Sequence, residues 1–212
     1  MSPNEGGTAS PEPEPKIIGL TGGIASGKTT VAQWIEAMGF PVYYSDQQAK
    51  DLVNKDLGLK QKIKNLLGEA AYNTEGLYDR KYVSSKVFEN KALLEQLNQL
   101  IHPAVKTDFQ TWLKQQNNHQ IIFKETALLF ELGLDRDCDK TLLVTAEDNL
   151  RMKRVMDRDG KTYREVENIM NKQMPEKDKL KRADFVIHNN STLENLKQET
   201  LNAIAKITEE FL

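Results

Sequence analysis

One cysteine, Cys138, stands among 212 residues, and a lone thiol excludes both an internal disulfide and a cysteine-based zinc site. That usage fits a reducing, cytoplasmic setting, with Cys138 read as a structural residue. Long apolar runs are missing too. No stretch approaches the roughly 20 consecutive apolar residues that cross a bilayer, so no membrane partner is expected. Neither charge sign dominates: 29 Lys and Arg face 31 Asp and Glu, which argues against a nucleic-acid or anionic-membrane partner and toward small solutes. The chain is long enough for one sizeable core, or for a core carrying small insertions. It shows no internal repeat, and it leaves a monomer and a small homo-oligomer equally open.

What is present begins with a stretch rich in Pro, Glu, Gly and Ser over residues 1–15. This reads as a disordered tail without the apolar segment of a secretory signal. An apolar run over residues 17–20 then precedes a glycine-rich loop, and Val31, Trp34, Ile35 and Met38 recur at helical spacing, giving strand, loop and helix in that order. Gly39 is placed to end that helix, and Pro41 blocks its continuation into Val42-Tyr43-Tyr44, a second strand. Residues 121–123, 141–145 and 185–188 are further strand candidates, separated by lengths that suit crossover helices. The alternation predicts an α/β fold of three layers, α/β/α, with a parallel sheet covered on both faces.

About 70 residues separate the second and third strands, too many for a plain crossover, so an inserted helical subdomain is expected over about 51–102. A highly charged stretch over about 147–182, punctuated by Gly160 and Pro175, reads as a mobile lid. The core then comprises about 16–50, 103–146 and 183–212. Its last segment reads as an amphipathic helix, with Ser191-Thr192-Leu193-Glu194 as a capping box and Leu196, Ile204, Ile207 and Phe211 on one face.

The sharpest local signal is Gly22-Gly23-Ile24-Ala25-Ser26-Gly27-Lys28-Thr29, followed by Thr30. It satisfies the P-loop pattern G-x-x-x-x-G-K-[ST] between a predicted strand and a predicted helix, the context that the pattern requires. In such a loop the backbone N–H groups turn toward phosphate oxygens, and the helix N-terminus adds donors and a favourable dipole. Lys28 brings a cation to the β and γ phosphates, and Thr29 offers its hydroxyl to Mg2+. The motif predicts a nucleoside triphosphate site without separating GTPase, ATPase and kinase. A guanine-reading Asn-Lys-x-Asp is missing, because Asn54-Lys55-Asp56 carries its aspartate one place early. ATP is therefore expected.

Asp46 lies just past the second strand, at the sheet edge where doubly wound folds bind ligands. A carboxylate there either orients an attacking hydroxyl and accepts its proton, or caps the helix that follows. The segments LTGGIASGKTTVA, SDQQAKDLV, GLYDRKYVSSKVF, IHP, ETALLFE and RADFVIHNN, in this order, resemble the dephospho-coenzyme A kinase family over residues 17–190. The resemblance implies a P-loop kinase that moves a phosphoryl group from ATP to the ribose 3′-hydroxyl of dephospho-CoA, the last step of coenzyme A synthesis. It implies that Asp46 is the catalytic aspartate on the acceptor side.

Two departures stand out. The family pattern Asp-Ala-Asp is here Tyr44-Ser45-Asp46, so the first carboxylate is absent. The pattern Asp-x-Pro-Leu-Leu-Phe-Glu is here Glu125-Thr126-Ala127-Leu128-Leu129-Phe130-Glu131; Glu125 keeps the charge on a longer arm, which suits contact with Mg2+ through water better than direct ligation.

Arg80 matches an arginine of the family pattern, which implies a guanidinium forked onto the acceptor's diphosphate; by itself it reads as a solvated helix-start arginine. His102-Pro103 resembles the family's His-Pro at a helix junction, where the imidazole touches the acceptor or satisfies a backbone group. Arg151, Arg154 and Arg158 share one helical face, either solvated or closing over phosphates. The resemblance favours Arg154, as a catalytic cation, and Arg158. It also sets Ala183-Asp184 and Asn189 near the adenine end of the site. Two other functions remain open: another small P-loop kinase acting on a nucleoside or nucleoside monophosphate, and a non-catalytic nucleotide sensor.

Overall fold

Alternation decides the sheet. In β1 (Lys16–Thr21), β2 (Val42–Tyr44) and β3 (Ile121–Glu125), neighbouring side chains point to opposite faces. Ile18, Leu20, Val42, Ile121 and Phe123 join one core cluster, whereas Ile17, Tyr43 and Ile122 join another. With β4 (Lys140–Thr145) and β5 (Phe185–His188) they form a five-stranded sheet in the order β2-β3-β1-β4-β5, every pairing parallel. β2 and β5 coincide with their predicted spans and the other three extend theirs, so the α/β architecture is the one that the sequence predicts. The computed structural model describes residues 14–88 and 90–212; residues 1–13 of the expected tail lie outside the described residues.

α1 (Lys28–Ala37) starts at the glycine-rich loop and ends where Gly39 takes φ +92, a left-handed turn open to glycine. Four helices follow β2: α2 (Ser45–Lys55), α3 (Leu57–Leu67), α4 (Arg80–Val87) and α5 (Lys91–Leu113). Side chains set three of their starts. Asp56, Asp79 and Asn90 accept the backbone N–H groups of Leu59, Tyr82 and Leu93 at 2.9, 2.9 and 3.0 Å, caps worth about 1 kcal/mol each. Asp56, misplaced for reading guanine, is thus a helix cap.

These helices bury a core of their own around Val53, Leu59, Ile63, Leu67, Val83 and Leu97. α5 serves two cores. Leu97 and Ile101 pack in the helical cluster, while Val105 and Phe109 pack with Tyr43 and Ile122 of the sheet. The expected helix junction at His102-Pro103 is corrected here, because Pro103 lies inside this continuous 23-residue helix. Packing on both cores outweighs the roughly 3 kcal/mol that an interior proline costs.

α6 (Asp148–Asp159), α7 (Tyr163–Met170) and α8 (Glu176–Arg182) lie between β4 and β5. α9 (Leu193–Phe211) then returns beside α1 and buries Leu196, Ala203, Ile204 and Ile207 against the sheet. Its cap is Thr192, whose hydroxyl accepts the Asn195 N–H at 3.2 Å. The predicted capping box is therefore one residue out of register, and Ser191 instead receives the Asn195 side-chain amide at 2.8 Å. Among the described residues no helix is long and apolar enough to cross a membrane.

Candidate active site

The loop between β1 and α1 forms a cradle held from behind. Gly27 has φ +98, and a Cβ there would collide with the Asn189 amide nitrogen, so conformation and space both require glycine. Ala25 also has positive φ, +57, a strained choice outside glycine that surrounding structure must hold. That structure is visible. Asn189 Nδ2 donates to the Ser26 carbonyl at 2.8 Å, and its backbone N–H donates to Thr145 at 2.7 Å. Arg154 donates through Nη2 to the Asn189 carbonyl at 2.9 Å and through Nη1 to the Ala25 carbonyl at 3.3 Å. We expect Gly27→Ala to lower the unfolding free energy by about 1–3 kcal/mol. A urea midpoint equal to the parent's would contradict the requirement for glycine.

Three strand ends meet at the cradle's mouth. Glu125 closes β3 in register with Leu20 of β1 and Tyr44 of β2, so the cradle loop, Glu125 and the start of α2 share one edge of the sheet. The Lys28 ammonium, on a side chain only 11% exposed, contacts the Glu125 carboxylate and stands 3.9 Å from Asp46 Oδ2. Burial lowers Lys28 to about 8; the negative charge of Asp46 opposes this and the positive charge of Lys179 adds to it. Asp46 is the second residue of α2, behind Tyr44 at the cap position, so it is not the cap. Its carboxylate accepts the Ala127 N–H at 3.1 Å and the Thr126 hydroxyl at 3.3 Å, while its side chain stays 47% exposed. The charge is fixed yet open to a partner. Tyr44, in the place of the missing carboxylate, donates its hydroxyl to Glu36 at 3.0 Å. Burial and the Glu36 contact push its phenol up to about 12, so it supplies no anion at neutral pH.

Two hollows adjoin this edge. One, of about 410 Å³, is lined by Gly22, Gly23, Ile24, Ala25, Gly27, Lys28, Thr29 and Thr30 together with Ala127, Arg158, Ile169 and Gln173. The other, of about 800 Å³, is lined by Asp46, Lys50, Asn54, Arg80 and apolar side chains such as Val53, Val83 and Leu97. The structure therefore brings Lys28, Thr29 and Arg158 to the first hollow and Asp46 and Arg80 to the second, with Glu125 held at the same sheet edge by its contact with Lys28.

His102 is different: it is exposed on α5 and is absent from both linings. Asp184 precedes β5 whereas Asn189 follows it. Asp184 is therefore at the far end of the strand, where it accepts the Thr141 N–H and hydroxyl at 2.8 Å each. It ties strands together and does not reach the cradle.

Sequence reasoning missed a second circle of polar groups. Gln173 accepts the Ile24 N–H at 3.0 Å. Glu131 Oε1 accepts the Met174 N–H at 2.9 Å and stands 3.1 Å from the ammonium of Lys179, which is fully buried. Arg151, 4% exposed, pairs with Asp148 and Glu176 at 2.7 and 3.5 Å. Glu131 carried a signal as the last residue of a segment already singled out, and Arg151 as one of three arginines on a helical face; Gln173 and Lys179 carried none.

The geometry has close counterparts. A family model described as dephospho-CoA kinase matches residues 16–195. The dephospho-CoA kinase of Fusobacterium nucleatum is 41% identical over 180 residues, covering 85% of this chain and 92% of that protein. That of Chlorobaculum tepidum is 37% identical over 191 residues, covering 87% and 91%. Among solved structures, TT1252 from Thermus thermophilus aligns with a TM-score of 0.81 at 33% identity, over 92% of this chain and 99% of that one. The dephospho-CoA kinase from Campylobacter jejuni aligns with a TM-score of 0.69 at 26% identity, over 92% and 98%. Cradle, acid pair and sheet order thus coincide with a match that spans most of the sequence, and the chain belongs to the dephospho-CoA kinase family.

Proposed function

We propose that this chain transfers the γ-phosphoryl group of ATP to the ribose 3′-hydroxyl of dephospho-CoA, with Lys28 and Asp46 acting at the two sides of the transferred group. One observation carries the reading: Asp46 lines the larger cavity and stands 3.9 Å from Lys28, which lines the cradle. A hydroxyl resting against Asp46 then faces a phosphoryl group held by Lys28. As the hydroxyl oxygen bonds to phosphorus, its proton passes to the Asp46 carboxylate and the bond from phosphorus to the β–γ bridging oxygen breaks. Lys28 meets the charge that builds on that bridging oxygen. Arg80 and Lys50 offer cations to the acceptor's diphosphate. Val53, Val83 and Leu97 offer an apolar wall to its uncharged arm.

The donors present fit Mg2+. Thr29 gives a hydroxyl and Glu125 a carboxylate, both hard oxygens, and among the described residues no three His, Cys, Asp or Glu cluster into a cage of their own. Such a set suits an ion that keeps waters and takes substrate phosphate oxygens. When bound, Mg2+ neutralises charge across the β and γ phosphates. The phosphates also give Lys28 new anionic partners, which releases Glu125 from its ion pair. In this reading residues of about 51–102 form the acceptor subdomain, and α6–α8, within about 147–182, form the lid that brings Arg158 to the phosphates. Arg154 and Asn189 support the cradle that holds ATP. One chain contains every residue named, and the lone thiol suits the cytoplasm.

Lys28 captures phosphate as an ammonium ion. Its free value of about 8 rises when phosphate oxygens surround it, so capture is full well below pH 8, half lost near it, and lost progressively as pH climbs above it. We expect kcat/KM for MgATP to fall up to about tenfold per pH unit on that alkaline limb, with the limb of kcat displaced upward. A flat kcat/KM profile to about pH 9.5 would remove Lys28 as the titrating group. For the reaction as a whole, ADP formation is measured with dephospho-CoA, adenosine, AMP or no acceptor. Turnover is expected to depend on dephospho-CoA; equal rates with AMP, or without any acceptor, overturn the reading.

A further inference from the structure

Three consecutive residues in the turn between α7 and α8 touch three parts of the molecule. Lys172 places its ammonium 5.6 Å from the centroid of the Phe88 ring, just past α4. Gln173 accepts the Ile24 N–H of the cradle at 3.0 Å. The Met174 N–H donates to Glu131, in the loop after β3, at 2.9 Å. Phe88 itself is 76% exposed and does not line the acceptor cleft, but Ser84 and Val87 just before it do. The ring therefore rides on the helix that an acceptor would touch.

The turn is fixed from beneath. Glu131, which holds Met174, is also the partner of the buried Lys179 on α8. Arg151, on α6, reaches Glu176 at the start of α8 and packs its guanidinium against Gly23 of the cradle. Buried charges in such pairs hold their places, because losing a partner is costly. The turn is thus anchored toward the sheet, and its remaining contacts face the cradle on one side and α4 on the other.

We propose that this turn couples the two substrate sites, with Gln173 as the positioning residue that links the acceptor helices to the cradle. The inference rests on the donor and acceptor assignment above. An acceptor seated against Val83 and Val87 bears on α4 and hence on Phe88. The attraction between the ring and the Lys172 ammonium acts only at close range, so a shift of α4 is felt at Lys172 and at the adjacent Gln173, and through it at the Ile24 N–H. Ligands that bias one shared element must alter each other's affinity by the same factor.

The test titrates a non-hydrolysable ATP analogue with Mg2+ into the full chain, with and without saturating dephospho-CoA. The parent is expected to bind the analogue about 3- to 5-fold more tightly when the acceptor is present, the most that an exposed cation–π contact can transmit. Phe88→Leu and Lys172→Met, outside both cavities, should cut that factor below about twofold while each ligand alone binds within about threefold of the parent. Gln173→Met, which deletes the acceptor for the Ile24 N–H, should lower the factor as far. A merely structural role would move stability or both affinities and leave the factor alone. A parental factor of one, or a factor unchanged in all three variants, overturns the coupling even when dephospho-CoA is phosphorylated normally. Failure of dephospho-CoA to bind the parent overturns both the coupling and the acceptor assignment beneath it.

Discussion

Lys28→Ala is expected to lower turnover by at least about 10²-fold at saturating substrates. The ammonium stands at the first residue of α1, beside both acids of the site. In the proposed reaction its interaction with the bridging oxygen would strengthen as charge moves onto that atom, so its loss should appear in kcat more than in nucleotide affinity. The same substitution leaves Glu125 buried without its partner, and an orphaned buried charge costs about 3–5 kcal/mol. A second variant, Lys28→Met with Glu125→Gln, removes both charges at similar shape and separates chemistry from folding. Single-turnover rates are measured beside urea unfolding. A folded variant of either kind with near-parental turnover would mean that the cradle has been misassigned.

Asp46→Asn should cost about 10²–10⁴-fold in turnover, the usual worth of general-base assistance. Asparagine keeps an oxygen to accept the Ala127 N–H, the contact that fixes Asp46 now, so the loop after β3 should stay in place. What disappears is the charge and the basicity directed at the acceptor hydroxyl. With Tyr44 bonded to Glu36 and neutral, no carboxylate at positions 44 or 45 takes over. Acceptor affinity should change far less than the rate. Steady-state phosphorylation of dephospho-CoA at saturating MgATP is measured with direct acceptor binding on the same variant. Turnover within about threefold of the parent would strip Asp46 of its catalytic role.

Much of this site was legible because its signals are local. The cradle is one uninterrupted motif, and Asp46 and Glu125 each follow a short apolar run whose end the flanking residues mark. Parallel order then brings those run ends to one edge without any long-range reading. Other features depended on partners far away in sequence. The contacts of Ile24 with Gln173 and of Glu131 with Lys179 join residues 149 and 48 positions apart, and isolated polar residues leave no periodic trace. The helix junction at His102-Pro103 comes from the resemblance alone, and burial on two cores keeps α5 whole through Pro103. Arg154 shows the limit of a helical-face argument: its guanidinium binds the cradle's carbonyls, while Arg151 pairs with Asp148 and Glu176 and Arg158 with Asp159.

The central claim is that Asp46 and Lys28 bring a ribose 3′-hydroxyl and the γ-phosphorus of ATP into contact. It is tested most directly by incubating the chain with dephospho-CoA and ATP labelled with ¹⁸O in the γ-phosphoryl group, then identifying the product by mass spectrometry and phosphorus NMR. The account predicts one new phosphomonoester, on the 3′-oxygen, carrying the label from the γ-phosphoryl group, with one ADP formed for each. Label released as inorganic phosphate, or a phosphate on any other oxygen of the acceptor, would contradict it.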